Sequence, residues 1–548
     1  MALAVATAVG FLLADRLPQG ATSVPCDDSW IHLSYARTFL ETGRWALTAG
    51  AQSTTGTTGY LWAVLLAALM GLGLSPQMAA LVPGAGCFVG VVWLWGRLVR
   101  RAGVAGPFDT ISTCAVALSG NLLYLSASGM EAVATLFLAM LALDRQAVGD
   151  ARGGGLAAAA LAVTRPEGAA LGGVLALVEL TRRRKAGARA SSRAVLMAAG
   201  RGMVPSAAGL ALLMSLNTLV GGHAMPDTYQ GRRWLANLPP GLQWSPAELA
   251  AGAVKYAREW WEDLRDNTYS LAFGDYLREG PGAVVDAHVA GLLAILSAAG
   301  LVRAATCGGL WPLTLYALVH NLAYAVLLPT PSAAGRYQPV NLLLASALPA
   351  VGAWALATWL SWWLRRRRPR ASKPPDSLRT DRPFAVLAVL LLVPAAFNAG
   401  IWWRATRGTA FQLDRVHCEA GRWIAANLSP AARVAAFDFG ALAYFGGREI
   451  VDFGGLTDAA AAKALHQART LAYLHRRGAT HLALPLPLNT PLKHMLAQFG
   501  LYARRGEPGP RARFEPLARF QVSQQHFWYA HLTGSAHPRM EVYRIVWE

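Results

Sequence analysis

Charge is what this 548-residue chain has least of: 15% of its residues are Asp, Glu, Lys or Arg, against roughly a quarter in soluble domains. The shortage argues against an ordinary soluble globular chain. Acids are scarcer than bases, 31 against 50, for a formal net charge of +19. Cysteine is also rare. Five are scattered without a CxxC pair, so neither a zinc site nor a disulfide framework is indicated. In the topology argued below, Cys26 and Cys418 share the oxidising side. One bridge between them and two free thiols are both open readings.

Apolar residues make up 54% of the chain and come in blocks. Segments 78–96, 108–125, 129–143, 195–216, 286–302, 308–328, 339–364 and 384–403 are long and nearly free of charge. A helix crossing the hydrocarbon needs about 20 such residues. The basic residues cluster between the blocks: Arg97, Arg100 and Arg101; Arg182 to Lys185 with Arg189 and Arg193; Arg365 to Arg368 with Arg370. That is the positive-inside pattern, and no folded basic domain surrounds the clusters. Membrane orientation therefore explains the charge, and nucleic acid is not expected as a partner.

With the basic loops in the cytoplasm, residues 15–58, the loops near 120–130 and 329–338, and a large loop at 220–285 face outward, as does the chain after 404. Residues 59–74 then pose a parity problem. If they crossed, the cluster at Arg97 would lie on the wrong side. They are expected to dip into or lie along the outer leaflet, the alternative being a miscounted block elsewhere. The expected fold is a polytopic α-helical membrane protein of about eleven transmembrane helices plus this dipping helix. Residues 1–14 lack the basic leader of a signal peptide, which predicts a short first span or a start upstream of Met1.

Beyond residue 404 apolar runs shorten and charges mix. Helical spacing is expected over 411–428 and 458–478, and strands over 432–438, 448–453, 480–486 and 540–547. Alternating strands and helices imply a small extracytoplasmic α/β domain at 404–548, docked on a transmembrane domain at 1–403.

Ionisable residues at membrane depth are costly unless they serve a site. Asp27 and Asp28 open the first external loop. Glu131 stands at the external end of an apolar block. Arg165 and Glu167 lie in TRPEG, His320 and Asn321 within an apolar block, and Arg336 and Tyr337 in AGRYQP. The acids can act as a base or bind a cation, and the arginines can grip phosphate through a planar fork. Asp27, Asp28 and Glu131 would supply oxygens suited to a divalent ion, so metal dependence is open. Blander roles compete: Asp28 as a helix cap, Glu131 as a cap or as a partner of Arg165, Arg336 as an interfacial anchor, His320 as a buried polar residue.

The segment DDSWIHLSYARTFLETGRWALTAGAQSTTGTTGYLW (27–62) resembles the DD-x-x-I-x-x-x-Y-x-R-N…G-Y-T-x-x-L-W loop of bacterial GT-C glycosyltransferases. The nearest type is the mycobacterial terminal arabinofuranosyltransferase group. Protein O-mannosyltransferases and lipid A aminoarabinose transferases are more distant. SGMEA (128–132), LAVTRPEG (161–168), HAMPDTYQ (223–230), GRYQPV (335–340) and FDFGALAYFGGREIVDFGGL (437–456) resemble further family elements in the same order.

The resemblance implies an inverting sugar transfer from a polyprenyl-phosphate donor to a hydroxyl of an envelope glycan, lipid or protein, on the outer face of the bacterial inner membrane. By the same carry-over Asp27 is the general base, with Asp28 beside it. Glu131 orients the donor or a cation, and Arg336 and Tyr337, with Arg165 and His320, lie near the phosphate. Tyr60 and Trp62 line the sugar or lipid pocket or serve as interfacial aromatics. The chain departs from the pattern in four places. Thr42-Gly43-Arg44 replaces the usual G-x-G neighbourhood. TGTTGY (55–60) lacks the second acid of the first loop. Asp227 replaces an Asn. Arg232 lies near a position where the family has Lys. A lipid-linked sugar transporter and a non-catalytic assembly protein are the rival readings.

Overall fold

The computed structural model describes residues 1–14, 23–57, 59–104, 106–185, 192–235, 245–269, 281–306, 309–330, 332–367, 381–487, 490–502, 509–523, 533 and 537–548. Part of the first external loop (15–22), and Arg189, Arg368 and Arg370 of the basic clusters, lie outside them.

Up to residue 427 the described chain is helical. Among the described residues five helices are long and apolar enough to cross a bilayer: Pro76–Arg101, Gly200–Gly221, Val284–Thr306, Pro339–Leu364 and Val386–Asn427. The bent pair Pro107–Ala117 and Gly120–Ala127, angled at 44°, makes a sixth if it counts as one span. The expected eleven are not reached by this measure. Other apolar blocks fold as shorter helices, among them Ala132–Ala147, Ala151–Thr164 and Trp311–Leu327. Large apolar side chains such as Ile295, Val302, Val389 and Val393 remain exposed, as lipid-facing positions require. This is the surface of a multi-pass membrane protein.

The helix Tyr60–Gly71 has 12 residues and rises about 18 Å, short of the roughly 30 Å hydrocarbon. It packs on the helices Asp27–Thr42 and Pro76–Arg101. The core between these elements is large and aromatic, with Trp30, Phe88, Trp95 and Trp402 fully buried.

Residues 433–547 form a five-stranded sheet in the order β2-β1-β3-β5-β4. β1 (Arg433–Ala436) runs parallel to β2 (Glu449–Asp452) and to β3 (His481–Leu486). β5 (Arg539–Trp547) runs antiparallel to β3 and to β4 (Ala512–Gln521). The four expected strands are present, and β4 is an addition. The helix expected over 458–478 divides into Ala459–His466 and Thr470–Arg476, because Ala468 takes a left-handed conformation at φ 51°. No loop separates the membrane part from the sheet part at 403/404. One helical run, Asp381–Leu413, a π turn at Asp414–Cys418 and Glu419–Asn427, passes straight through.

The sheet part is tied to the helix Asp27–Thr42. Trp30 packs on Tyr444 and Phe445 with ring centroids 4.8 and 4.7 Å apart, and Arg37 donates to the Tyr444 carbonyl at 2.7 Å. Gly440 must be glycine, since a Cβ there would sit 2.1 Å from the Asp27 carbonyl oxygen. Cys26 and Cys418 are both buried and free, so the bridge left open by the sequence is not formed.

Candidate active site

The helix Asp27–Thr42 begins at the aspartate pair, with Cys26 at its N-cap making no side-chain cap bond. Neither acid therefore caps this helix, although both sit in its first turn, where the helix dipole favours negative charge. Their side chains diverge. Asp28 lines a cleft of about 830 Å³ that opens to solvent. Asp27 does not. Its two carboxylate oxygens accept the main-chain N–H groups of Gly440 and Ala441, at 2.8 and 2.9 Å. These begin the helix Gly440–Gly446. Burial raises the Asp27 carboxyl to about 6 despite the nearby His417.

Two guanidiniums converge on one oxygen of Asp28. Arg232 and Arg336 each place a nitrogen 2.7 Å from its Oδ2. Burial alone would raise this carboxyl, but Arg336 and Arg232 outweigh it and hold it near 2. Arg232 comes from the helix Thr228–Leu235. Arg336 follows a short turn at Ala333–Gly335 and is braced by the Ser332 hydroxyl at 3.0 Å. The ring of Tyr337 lies under both Arg336 and Arg165, at 5.5 and 5.2 Å from their guanidinium carbons.

The opposite wall is a second ionic group. Arg165 grips Glu131 Oε1 through Nε and Nη2, at 2.8 and 2.7 Å, and reaches Glu167 at 3.4 Å. Tyr324 donates to Glu167 at 2.7 Å. The other oxygen of Glu131 lies 3.3 Å from His32 Nε2, while His32 Nδ1 pairs with the Thr57 hydroxyl at 2.7 Å. Burial works against the Glu131 charge, but Arg165 holds its carboxyl well below the usual carboxylate range.

Of the residues singled out from sequence, the cleft therefore gathers Asp28, Glu131, Arg165, Glu167, Arg336 and Tyr337. His320 lies behind it in an adjoining cavity of about 320 Å³, its Nε2 bonded to the Tyr337 carbonyl at 2.8 Å. Tyr60 and Trp62 do not line the cleft. Tyr60 stacks on Trp45 at 4.9 Å, and Trp62 donates to the Gly129 carbonyl at 2.9 Å. His32, Arg232 and Tyr324 line the cleft too, without being marked as site residues by the sequence. His32 is four positions after Asp28 and shares its helix face, a signal that was there to be read. Arg232 is brought in by the helix Thr228–Leu235. Tyr324 is placed by tertiary packing alone.

The departing loop TGTTGY is held by Asp227. This carboxylate accepts the Thr55 hydroxyl at 2.6 Å and stands 2.9 Å from His223 Nε2. Asp27, Asp28 and Glu131 do not converge as a cation site. Each is engaged by N–H or guanidinium donors, and among the described residues no group of three or more His, Cys, Asp or Glu could hold a metal ion.

Residues 403–543 match a domain family of unknown function (DUF8728). No curated protein matches the sequence. Solved structures do. The archaeal oligosaccharyltransferase AglB from Archaeoglobus fulgidus, in complex with an inhibitory peptide and a dolichol-phosphate, matches 91% of this chain over 70% of its own, at 11% identity and a TM-score of 0.55. ArnT from Cupriavidus metallidurans matches 99% of this chain over 97% of its own at 12% identity. The TM-score is 0.50 for ArnT bound to undecaprenyl phosphate and 0.52 for the apo state. At such identities the likeness establishes the fold alone: this chain shares the architecture of AglB and ArnT.

Proposed function

We propose that this protein transfers a sugar from a polyprenyl-phosphate carrier to a hydroxyl of an envelope glycan, lipid or protein, with inversion, at the outer face of the inner membrane. The sheet part then faces the same extracytoplasmic side. The observation that carries the reading is the meeting of Arg232 and Arg336 on a single oxygen of Asp28 inside the cleft. Two forked cations facing an open cavity suit a phosphate. The undecaprenyl phosphate of ArnT and the dolichol-phosphate of AglB are ligands of that chemistry.

The base follows from this geometry. The sequence reading gave that role to Asp27, but both its oxygens are taken by main-chain donors, and Asp28 is the member of the pair that meets the cleft. While both arginines hold Asp28 it is a weak base. A donor phosphate draws the guanidiniums onto its own oxygens and raises the basicity of Asp28 as it binds. Asp28 then takes the acceptor's hydroxyl proton, and the acceptor oxygen forms a bond to the anomeric carbon. The bond from that carbon to the phosphate oxygen breaks with its electron pair, and polyprenyl phosphate leaves, stabilised by Arg232 and Arg336. The buried Glu131–Arg165–Glu167 group fixes the wall facing the sugar and places the Tyr337 ring between two cations.

The test is transfer of radiolabelled sugar from the polyprenyl-phosphate pool of cell membranes, comparing wild type, Asp28→Asn, Asp27→Asn and His32→Gln at equal expression. Wild-type transfer that Asp28→Asn abolishes supports the assignment. Transfer undiminished in Asp28→Asn, but lost in His32→Gln, moves the base to His32. No transfer with any carrier removes the transferase reading.

A further inference from the structure

A second cleft, of about 1030 Å³, lies between residues 47–54 of the first external loop and the β2 edge of the sheet. It belongs to neither the Asp28 cleft nor its apolar annex. The side chains that line it are mostly polar, which disfavours a lipid. Arg433, Arg476 and Arg477 stand against Glu449, Asp452 and Asp458, three cations to three acids, which disfavours a polyanion. Some of these groups are already paired: Arg433 with Glu449 at 2.9 Å and the Tyr473 hydroxyl with Asp458 at 2.8 Å. Planar forked donors and acceptors around an aromatic ring, with no net charge, suit a chain of sugar hydroxyls.

The two clefts share a wall made by consecutive residues of the same two loops. Thr54 and Thr457 face the second cleft, while Gly56, Thr57 and Leu456 face the first. At Gly56 the wall has no room for a side chain, since a Cβ would lie 2.4 Å from the Thr457 methyl and 2.6 Å from the Tyr35 hydroxyl. Asp452 builds the loop that carries Leu456 and Thr457. Its carboxylate accepts the N–H groups of Gly454, Gly455 and Thr457, at 2.7, 3.1 and 2.6 Å, and the Thr457 hydroxyl at 3.1 Å. The DFGGL motif of the sheet part thus forms one side of a partition between two cavities.

We infer that the second cleft is the acceptor site and that it takes a neutral glycan, whose terminal hydroxyl reaches Asp28 around the Gly56–Thr457 partition. The inference rests on the transferase reading and narrows its acceptor from glycan, lipid or protein to glycan. Arg476 and Arg477 line this cleft and not the Asp28 cleft.

Full-length protein in lipid nanodiscs is titrated with fluorescently labelled short neutral oligosaccharides of pentose and of hexose, and separately with polyprenyl phosphate. Wild type is compared with Arg476→Glu, Arg477→Glu and Gln52→Ala, which spread the risk that one variant misfolds. The expected result is binding of a neutral oligosaccharide by wild type, weakened roughly tenfold or more in the cleft variants, with polyprenyl phosphate bound as in wild type. Oligosaccharide affinity unchanged in all three variants, or absent in a wild type that binds polyprenyl phosphate, overturns the acceptor site and leaves the donor site standing. Oligosaccharide binding that depends on the cleft, without any polyprenyl-phosphate binding, upholds the glycan site and overturns the transferase reading. If neither ligand binds, both fall.

Discussion

The helix Ala132–Ala147 carries a buried carboxylate at each end, and both are held by arginine. At its start Glu131 is gripped by Arg165 and lines the Asp28 cleft. In its last turn Asp144, equally buried, is gripped by Arg97 at 3.1 Å and Arg101 at 2.5 Å. Arg97 and Arg101 belong to the basic cluster that the charge pattern places in the cytoplasm. Asp144 lines neither of the clefts described above. A buried ion pair is thus not in itself the mark of a site. What separates the two ends is the open volume beside the pair and the additional titratable groups, His32, Glu167 and Asp28, that face it.

The contrast is sharpest under mutation. Asp28→Asn is expected to lower sugar transfer by a factor on the order of 10³, read as label moved per unit of enzyme, while Asp144→Asn leaves the rate per folded molecule unchanged. Equal loss in both would erase the distinction. Arg336→Ala is the next largest effect: weaker polyprenyl-phosphate binding by roughly 10- to 100-fold, measured by titration in nanodiscs. Arg101→Ala should leave that affinity alone. Asp144→Asn is expected to act on stability instead, costing about 2 kcal/mol in thermal unfolding. That figure is moderated because its arginines are about one-third exposed.

The smallest effect concerns Asp27. Its carboxyl is raised from 3.8 to about 6 in the folded protein, so between those values the folded state holds a proton that the unfolded chain has released. Stability from this group therefore falls as pH rises through that window. Asp27→Asn removes the titration and should flatten the stability profile between pH 4 and 6, whatever its offset. A profile as steep as wild type would place the titration elsewhere.

The two ends of that helix also show what the sequence can and cannot reveal. Spacing and charge made the apolar blocks legible, and the motifs named six of the residues that gather in the cleft. The aspartate pair was read as a unit, because nothing in DDSW distinguishes two neighbours until a helix turn sends them roughly 100° apart. Asp27 then meets Gly440, which is more than 400 residues away in the chain. Tyr324 and Arg232 reach the site by the same long-range packing. β4 was hidden by Pro516 and by its exposed, charged face. It is an edge strand with a register shift between Pro516 and Ala518, and edge strands tolerate proline where central ones do not. The single helix read over 458–478 broke at Ala468, a residue type that gives no warning of a left-handed turn.

In the proposed mechanism Asp28 holds the two arginines that a donor phosphate will take, and becomes the base when they leave. The most direct measurement is polyprenyl-phosphate affinity in Asp28→Asn against wild type, beside the transfer rate of each. The account predicts that the variant binds polyprenyl phosphate more tightly, because Arg232 and Arg336 no longer have a carboxylate to leave, while its transfer is abolished. Weaker binding in the variant, or tighter binding with transfer intact, would contradict it.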